Sequence, residues 1–428
     1  MPETRSGSTY RPVLRHPQLR RVWPGVAVSA LGDGMATVAV SWLALELAPA
    51  DRRGLWLAVC AAAFTLPAAL GPWAFGRFLA GRPAAWIASW DAWLRAGALA
   101  LVPILDGLGA LDVGTFAVLL ALSSLLHAWG SAGRSTVIAE LLPPEHHVAG
   151  NAVQTVVNEG AFIVGSPLAG LLVGIVGASG VLALDAATYA VLALTYGWAL
   201  PWGSPSGPPP TGSAGPAGSA GPAGPPGTVG RPGGLAIVRG NRGLLGLVAL
   251  TFGYFALFGP VPVALALHVT DDLHGPATLL GLYWGVFGVG AVIGGVLAGR
   301  LRRAPLRRTT IGVVIGFGVA LLPLGLGAPT GIELAALACA GLIWAPYPVT
   351  STALIQRGAP PGGLTAVLAV NGAVAVTAVP LGTLLGGPLV ALAGPRTTLL
   401  TCAVGTIGFG CAAAVLAWSR TRHARGPV

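Results

Sequence analysis

Two carboxylates lie deep inside apolar stretches of this sequence. Asp33 stands in SALGDGMATVAV and Glu159 in VVNEGAFIVG. Each is about ten or eleven residues into a helical segment, which puts both near the middle of a membrane at 1.5 Å per residue. A carboxylate removed from water favours its protonated form, and a like neighbour strengthens that preference. We therefore expect Asp33 and Glu159 to be proton-coupling residues.

Each carboxylate also has a purely structural interpretation. Asp33 would then cap or pack against an irregularity of its helix at LGDG, whereas Glu159 would pair with an arginine or hydrogen-bond Asn158 and Gln154. A charge inside a membrane span costs about 3 kcal/mol by insertion scales unless it is paired or hydrated. Both interpretations therefore require a polar partner.

Other charged residues also fall within apolar segments. Asp91 and Arg95 are four residues apart with the acid first, the order that favours an ion pair on one helix face. We expect a structural ion pair here, with a role at an inner gate as the alternative. Arg134 is expected to anchor a helix end at the cytoplasmic face, with substrate contact as the alternative. Asp185 is expected to be a hydrogen-bond partner in the outer leaflet, with a role in transport chemistry as the alternative.

Charge is too scarce in this chain to cover a surface in water. Only 9% of its 428 residues are charged and 54% are hydrophobic, whereas about 25% of a typical soluble domain is charged. The apolar residues come in blocks of about 20 to 28, long enough for a helix to cross about 30 Å of hydrocarbon. We predict an all-α membrane protein with twelve transmembrane helices, at 22–47, 55–80, 84–106, 112–136, 149–176, 180–200, 244–268, 277–300, 308–328, 332–356, 364–392 and 397–418.

The basic residues indicate how these helices are oriented. All 24 are arginine: 20 fall in segments that are cytoplasmic when the N-terminus is inside, 3 fall in the opposite loops, and Arg95 lies within a helix. Such an excess is typical of cytoplasmic loops. We therefore predict a multi-pass protein of the cell membrane with both termini in the cytoplasm. Because this topology accounts for the net charge and no compact basic domain is present, we expect no nucleic-acid partner.

A polar interval separates two halves with six predicted helices each. It covers residues 201–243 and has glycine at every third position from Gly212 to Gly233. We interpret it as a disordered cytoplasmic linker in preference to a collagen-like assembly. The predicted organisation is a cytoplasmic tail at 1–21, helical halves at 22–200 and 244–418, and a second tail at 419–428. Equal helix counts favour an internal repeat.

One short phrase occurs at corresponding places in both halves. FLAGRPA at 78–84 follows the second predicted helix, VLAGRLR at 296–302 follows the eighth, and both loops face the cytoplasm. The phrase resembles the G-x-L-A-D-R-x-G-R loop of the major facilitator superfamily, with glycine in the place of the family's aspartate. This resemblance implies inner-gate loops, with anchoring of the arginines to lipid phosphates as the alternative. The residues that we assign to this gate are Gly81, Arg82, Asp91, Arg95, Gly295 and Arg300.

The resemblance extends over nearly the whole chain and is closest to the superfamily's bacterial exporters of drugs, macrolides and siderophores. GSPLAG at 165–170 is similar to the helix 5 motif of its antiporters, with Gly165, Ser166, Pro167 and Gly170 in the motif positions. The proline would bend the helix, and the glycines would let a partner helix approach closely. Ordinary use of glycine and proline in a transmembrane helix is the alternative interpretation.

The resemblance implies a secondary active transporter, and we expect a proton-coupled exporter of a small amphipathic molecule. An importer or lipid flippase of the same fold and a non-transporting scaffold or sensor are the alternatives. Polar and aromatic side chains that would line a substrate cavity are Trp42, Gln154, Asn158, Tyr254, Trp284 and Trp344. The sequence lacks a P-loop and the spacing of a metal site, so we expect no enzyme, no cofactor beyond the proton gradient, and a monomer whose partners are the substrate and the bilayer.

Overall fold

The computed structural model describes residues 11–79, 82–200, 233–298, 305–360 and 362–423. The helices before residue 201 are α1 (Arg11–Arg15), α2 (Pro17–Leu47), α3 (Arg53–Leu79), α4 (Ala84–Gly107), α5 (Val113–Ser124), α6 (His127–Leu141) and α7 (His147–Ala199). The later helices are α8 (Gly234–Gly240), α9 (Arg242–Phe258), α10 (Pro260–Leu267), α11 (Ala277–Ala298), α12 (Leu306–Gly325), α13 (Thr330–Trp344), α14 (Pro346–Gly358), α15 (Leu364–Ala393) and α16 (Pro395–His423). The predicted all-α class is confirmed.

Long apolar helices dominate the structure. Within the described ranges, nine helical segments are long and apolar enough to cross a membrane. One of them, Ala149–Ala199, has 51 residues, more than twice the length of about 20 residues that spans the hydrocarbon. Its backbone leaves helical geometry at Gly177, where φ is 76° and ψ is 167°. Glycine permits this positive φ, so the two helices predicted at 149–176 and 180–200 meet there. The count of twelve stays a prediction.

The chain forms two compact units. Unit 1 comprises the described residues of Met1–Ala39 and Ala63–Gly215, and unit 2 comprises those of Val40–Ala62 and Pro216–Val428. The boundary falls within α2 and α3, so the hairpin at 40–62 is grouped with unit 2.

The end of the predicted linker is ordered. Residues 201–232 lie outside the described part of the chain, but α8 occupies 234–240, so the predicted disorder does not hold there. Val238 of α8 is buried against Leu247 of α9 and Val367 of α15. Burial of these apolar side chains favours order over a solvated coil. The prediction from the glycine period did not take account of this short apolar run.

A close helix crossing positions the first half of α2 in unit 1. Gly34 of α2 lies against Gly165 of α7, and a Cβ at Gly165 would be 2.7 Å from the Leu31 carbonyl oxygen. The Ser166 hydroxyl donates a 3.2 Å hydrogen bond to the Gly34 carbonyl oxygen. Small residues allow backbones in a membrane to approach in this way. The crossing fixes the position of Asp33, which precedes Gly34.

Unit 2 contains the same arrangement. Gly382 of α15 lies against Gly259, and a Cβ at Gly382 would be 2.1 Å from the Ala256 carbonyl oxygen. The hydroxyl of Thr383 donates to the Gly259 carbonyl oxygen at 2.9 Å. In both units a glycine packs on a glycine, and the next residue's hydroxyl bonds the partner's carbonyl. This shared contact supports the internal repeat that the sequence predicts.

Asp112 caps the start of α5, and the contribution of this cap to stability depends on pH. Its carboxylate accepts hydrogen bonds from the Thr115 hydroxyl at 2.5 Å and the Gly114 N–H at 2.9 Å. These bonds, the Thr115 one first, lower the pKa of Asp112 below its ordinary value of 3.8. A lowered pKa in the folded state means that the cap stabilises the fold above pH 3.8 and that this contribution is lost as pH falls through the folded-state pKa.

We therefore expect Asp112→Ala to lower the unfolding temperature at pH 7 and to lower it less at pH 3. Thermal unfolding of the purified protein at both pH values measures the difference. Asp112→Asn is the matched control, because asparagine also accepts from the first turn of a helix and should retain most of the stability at both pH values. Equal unfolding temperatures for the unmutated protein and Asp112→Ala at pH 7 would contradict the cap.

Candidate functional site

Arg95 is the centre of a charged network inside unit 1. It lies on α4 and is only 3% exposed, although it carries a permanent charge. Its Nη1 donates to the Tyr189 hydroxyl at 2.5 Å and to Asp33 Oδ1 at 3.5 Å. The Tyr189 hydroxyl in turn donates to Asp33. Three helices, α2, α4 and α7, thus contribute one polar side chain each to a single bonded group.

Asp33 connects this group to the outside of the helix packing. Its side chain is 47% exposed, whereas Arg95 is almost fully buried. The neighbouring Gly32 makes room for another acid, because a Cβ there would be 2.2 Å from Asp185 Oδ1. The glycines of the LGDG sequence therefore have no side chain to keep α4 and α7 away from α2 at its carboxylate. Asp33 is thus the most exposed side chain of this group.

Asp91 links Arg95 to a second arginine. Its Oδ1 is 3.6 Å from Arg95 Nε, so the predicted i, i+4 ion pair is present, and its Oδ2 accepts from Arg134 Nη1 at 3.3 Å. The carboxylate is fully buried and occupies space that a Cβ at Gly130 would fill. Arg134 thus pairs with a buried carboxylate, and the anchoring role expected for it stays a prediction. This arginine is turned towards a buried carboxylate because the small Gly130 lets α6 approach α4.

Asp185 is a further buried acid beside the network. It is 0% exposed, and its Oδ1 accepts from the Thr188 hydroxyl at 3.3 Å. Its Oδ2 has no hydrogen-bond partner among the described residues. Asp33 and Arg95 both act on it electrostatically. Asp185, expected to be a hydrogen-bond partner in the outer leaflet, thus lies next to Asp33.

Tyr189 was missed by the sequence analysis. Its ring lies 5.0 Å from the Arg95 guanidinium carbon, and its hydroxyl bridges Arg95 and Asp33. The signal in the sequence is its spacing, since Tyr189 follows Asp185 by one helical turn and shares its face. His127 of α6 is a further titratable residue near Arg95 and Arg134.

Glu159 stands apart from this network. Its side chain is partly buried on α7, and no hydrogen bond or ion pair joins it to Asp33 within the described part of the chain. Asn158 beside it is exposed. Asp185, which follows the break of α7 at Gly177, lies beside Asp33 instead, because Gly32 makes room for it. A coupling role for Glu159 stays a prediction.

The residues assigned to the inner gate are only partly described. Gly81 and Arg300 lie outside the described residues. Arg82 is exposed, and its guanidinium carbon is 5.0 Å from the centre of the Trp86 ring. A Cβ at Gly295 would meet open space. A gating role for these residues stays a prediction.

The GSPLAG motif at 165–170, in the fifth predicted helix, lies in α7 and belongs to the helix packing described above. Gly165 and Ser166 make the crossing with α2, Pro167 lies within α7, and Gly170 is buried. Close approach at Gly165 is therefore present. This contact says nothing about the direction of transport.

The predicted cavity residues are scattered. Gln154 lines a small cavity in unit 1 together with Arg134, Trp23 and Tyr196, and this cavity holds about one water molecule. In unit 2, Tyr254 is 2% exposed and packs 4.8 Å from the Tyr347 ring and 5.4 Å from the Phe317 ring.

The three tryptophans are also part of the packing. Trp284 is 7% exposed, and Trp344 and Trp42 are partly buried. Phe287 lies between Trp284 and Trp344, at 6.0 and 6.1 Å between ring centres. Tyr254 and Trp284 thus serve as core side chains in this conformation, because rings of adjacent helices bury each other's apolar faces. Their role with substrate stays a prediction.

Comparison with known proteins agrees with the fold. The sequence is 25% identical to the multidrug efflux pump Tap of Mycolicibacterium fortuitum over 396 residues. The alignment covers 90% of this chain and 92% of that pump. The sequence is 29% identical to the multidrug efflux pump Tap of Mycobacterium tuberculosis over 410 residues, or 90% of both chains.

Solved transporter structures share the fold at lower identity. An auto-inhibited POT family peptide transporter has a TM-score of 0.68 at 14% identity, covering 94% of this chain and 96% of that one. An inward-facing bacterial homologue of the iron transporter ferroportin has a TM-score of 0.65 at 16% identity, with 91% and 98% covered. Residues 22–381 match the Major Facilitator Superfamily. The chain therefore belongs to the Major Facilitator Superfamily.

Proposed function

We propose that this protein is a proton-driven exporter of small amphipathic molecules, drugs among them, across the cell membrane. Membership of the superfamily supports transport, and the Tap relatives, which are multidrug efflux pumps, support export. The proposal includes the orientation with both termini in the cytoplasm, which the arginine distribution favours. It includes a monomeric transport unit with no cofactor beyond the proton gradient.

The charge balance of the unit 1 network is the observation that carries proton coupling. Asp33, Asp91 and Asp185 face two guanidiniums, those of Arg95 and Arg134. One carboxylate is therefore in excess when all three are ionised. An uncompensated charge in a water-poor interior is costly, so the network favours the uptake of one proton.

Asp33 is the member of the network that would exchange this proton during transport. When ionised, it accepts from Tyr189 and Arg95 and presents a negative charge on its exposed side, which suits a cationic amphipathic substrate. A proton that binds a carboxylate oxygen of Asp33 neutralises it and weakens its hold on both the substrate and Arg95. Arg95 then keeps Asp91, a carboxylate that it shares with Arg134. Proton and substrate thus compete for one carboxylate, which is the requirement of antiport.

Everted membrane vesicles from a host that expresses the protein test the function. Ethidium serves as a cationic amphipathic probe, and Nile red serves as a neutral one. We expect ethidium to accumulate in the vesicles when their lumen is acidic and to leave when a protonophore collapses the gradient. Vesicles without the protein are the control.

Three outcomes would contradict the proposal. Accumulation in right-side-out vesicles instead of everted ones would indicate an importer. The absence of gradient-driven movement of either probe, with a folded and membrane-inserted protein, would favour a scaffold or sensor. Movement of a labelled lipid between leaflets without movement of the probes would indicate a flippase.

A further inference from the structure

A second cluster of titratable side chains lies inside unit 2. It is centred on His268, the first residue of a π-helical turn, His268–Asp272, that follows α10. The side chains of His268, Glu333 on α13 and Tyr283 on α11 are all 0% exposed. The sequence analysis missed them because 65 residues separate His268 from Glu333.

Both nitrogens of the His268 ring face carboxylates. Nδ1 is 2.7 Å from Asp272 Oδ2, and Nε2 is 3.3 Å from both carboxylate oxygens of Glu333. A neutral imidazole has only one N–H, so one of these contacts would then bring a lone pair against a carboxylate. The doubly protonated ring satisfies both contacts. Because neither nitrogen is available as a ligand, the geometry fits a proton and does not fit a metal ion.

The remaining contacts of Glu333 agree with this assignment. The Tyr283 hydroxyl donates to Glu333 Oε2. An ionised carboxylate accepts hydrogen bonds from several donors at once, whereas a protonated one would need an acceptor for its own O–H. Tyr283 and His268 therefore act together as donors to an ionised Glu333.

Charge balance points the same way. Asp272 is 3.4 Å from Arg396 Nε, and its neighbour Asp271 is 3.2 Å from Arg53 Nη1. These two acids and Glu333 face two guanidiniums and His268. The charges cancel only when His268 is an imidazolium. Loss of its proton would leave a buried carboxylate without a cation, which is strongly unfavourable.

The π-helical turn brings these groups together. In a π-helical turn the backbone hydrogen bond joins residues five apart, whereas in an α-helix it joins residues four apart. Such turns occur often at functional sites. It directs Asp272 back to His268 while Asp271 points to Arg53. One turn thus bears a buried proton site and, at the adjacent residue, a more exposed ion pair.

We propose that His268, held between Glu333 and Asp272, is a proton-binding site of this protein in addition to the Asp33 network. In the packed cluster the imidazolium is retained. If water enters and hydrates Glu333, the ring releases its Nε2 proton to that water, and the net charge of the cluster falls by one. A use of this proton in transport rests on the function proposed above, but its presence on His268 does not.

The test is ¹⁵N NMR of the full chain in lipid nanodiscs with labelled histidine, in which imidazolium and neutral rings have different shifts. We expect one imidazolium signal to persist at pH 8 and to be absent from His268→Gln. In Glu333→Gln this signal should be lost at pH 8, because Nε2 no longer faces a carboxylate. His274→Asn is the matched control: this exposed residue has a φ of 50°, which asparagine also adopts, and the signal should be unchanged.

Tyr283→Phe provides a second way to assign the signal if His268→Gln fails to fold. It removes only the hydroxyl that shares Glu333 with His268, so the imidazolium signal should shift in position but persist. A neutral tautomer of His268 at pH 7 would overturn the inference, as would a Glu333→Gln spectrum identical to that of the unmutated protein. Because the spectrum needs no substrate, it can fail while ethidium efflux succeeds, or succeed while efflux fails.

Discussion

Replacing Asp33 with asparagine should greatly slow efflux driven by a pH gradient while leaving the protein folded. Asparagine has nearly the same shape and still accepts hydrogen bonds from Tyr189 and Arg95, but it can neither ionise nor carry the exchanged proton. We expect the gradient-driven ethidium rate to fall about 5- to 150-fold, the usual range for the loss of about 1–3 kcal/mol of coupling free energy. Everted vesicles with an imposed gradient measure the rate.

The matched control for this change is Asp106→Asn. Asp106 is exposed near the end of α4, outside the network, and its replacement should leave the rate unchanged. Glu159→Gln tests the other carboxylate selected from the sequence. A large loss there with full activity in Asp33→Asn would reverse our assignment of the coupling residue. Full gradient-driven exchange in a double variant of Asp33 and Glu159 would exclude both.

Replacing Gly382 with alanine should strongly lower the stability of the folded protein. The added Cβ would lie 2.1 Å from the Ala256 carbonyl oxygen, a backbone atom that cannot move without shifting α9. Overpacking of this kind costs about 1–3 kcal/mol, occasionally more. Thermal unfolding followed by size-exclusion chromatography in detergent should show a clearly lower unfolding temperature.

Gly408→Ala is the control for this prediction. Gly408 is a helical glycine of α16 whose added Cβ would meet open space. Alanine is favoured over glycine within a helix by about 0.5–1 kcal/mol, so this variant should be as stable as the unmutated protein or slightly more so. Equal unfolding temperatures for the two alanine variants would show that the Gly259–Gly382 crossing does not hold α15 in place.

Predictions from the sequence succeeded where contacts are local. Asp91 and Arg95 lie four residues apart on one helix, and the helical repeat alone brings them together. Asp33 was expected to have a polar partner because a carboxylate inside an apolar segment needs one, and Tyr189 and Arg95 are its partners. The apolar segment lengths predicted the all-α membrane architecture for the same reason: hydrocarbon accepts a backbone only if its hydrogen bonds are made within the segment.

The partners of these residues were not predictable in the same way. Glu159 was expected to accompany Asp33, but Tyr189, Arg95 and Asp185 surround it instead. Glu159 and Asp185 are both on α7 but on opposite sides of its break at Gly177, and the close approach at Gly32 puts Asp185 beside Asp33.

The sequence by itself thus determined that the protein is helical, that it lies in a membrane and that a few carboxylates must be compensated there. Only the tertiary structure decided which groups compensate them, including the pairing of His268 with Glu333. The physical reason is that an α-helix has a fixed period, so neighbours along it follow from spacing. Which faces of two helices meet depends instead on where small residues let their backbones approach, and these residues lie far apart in the chain.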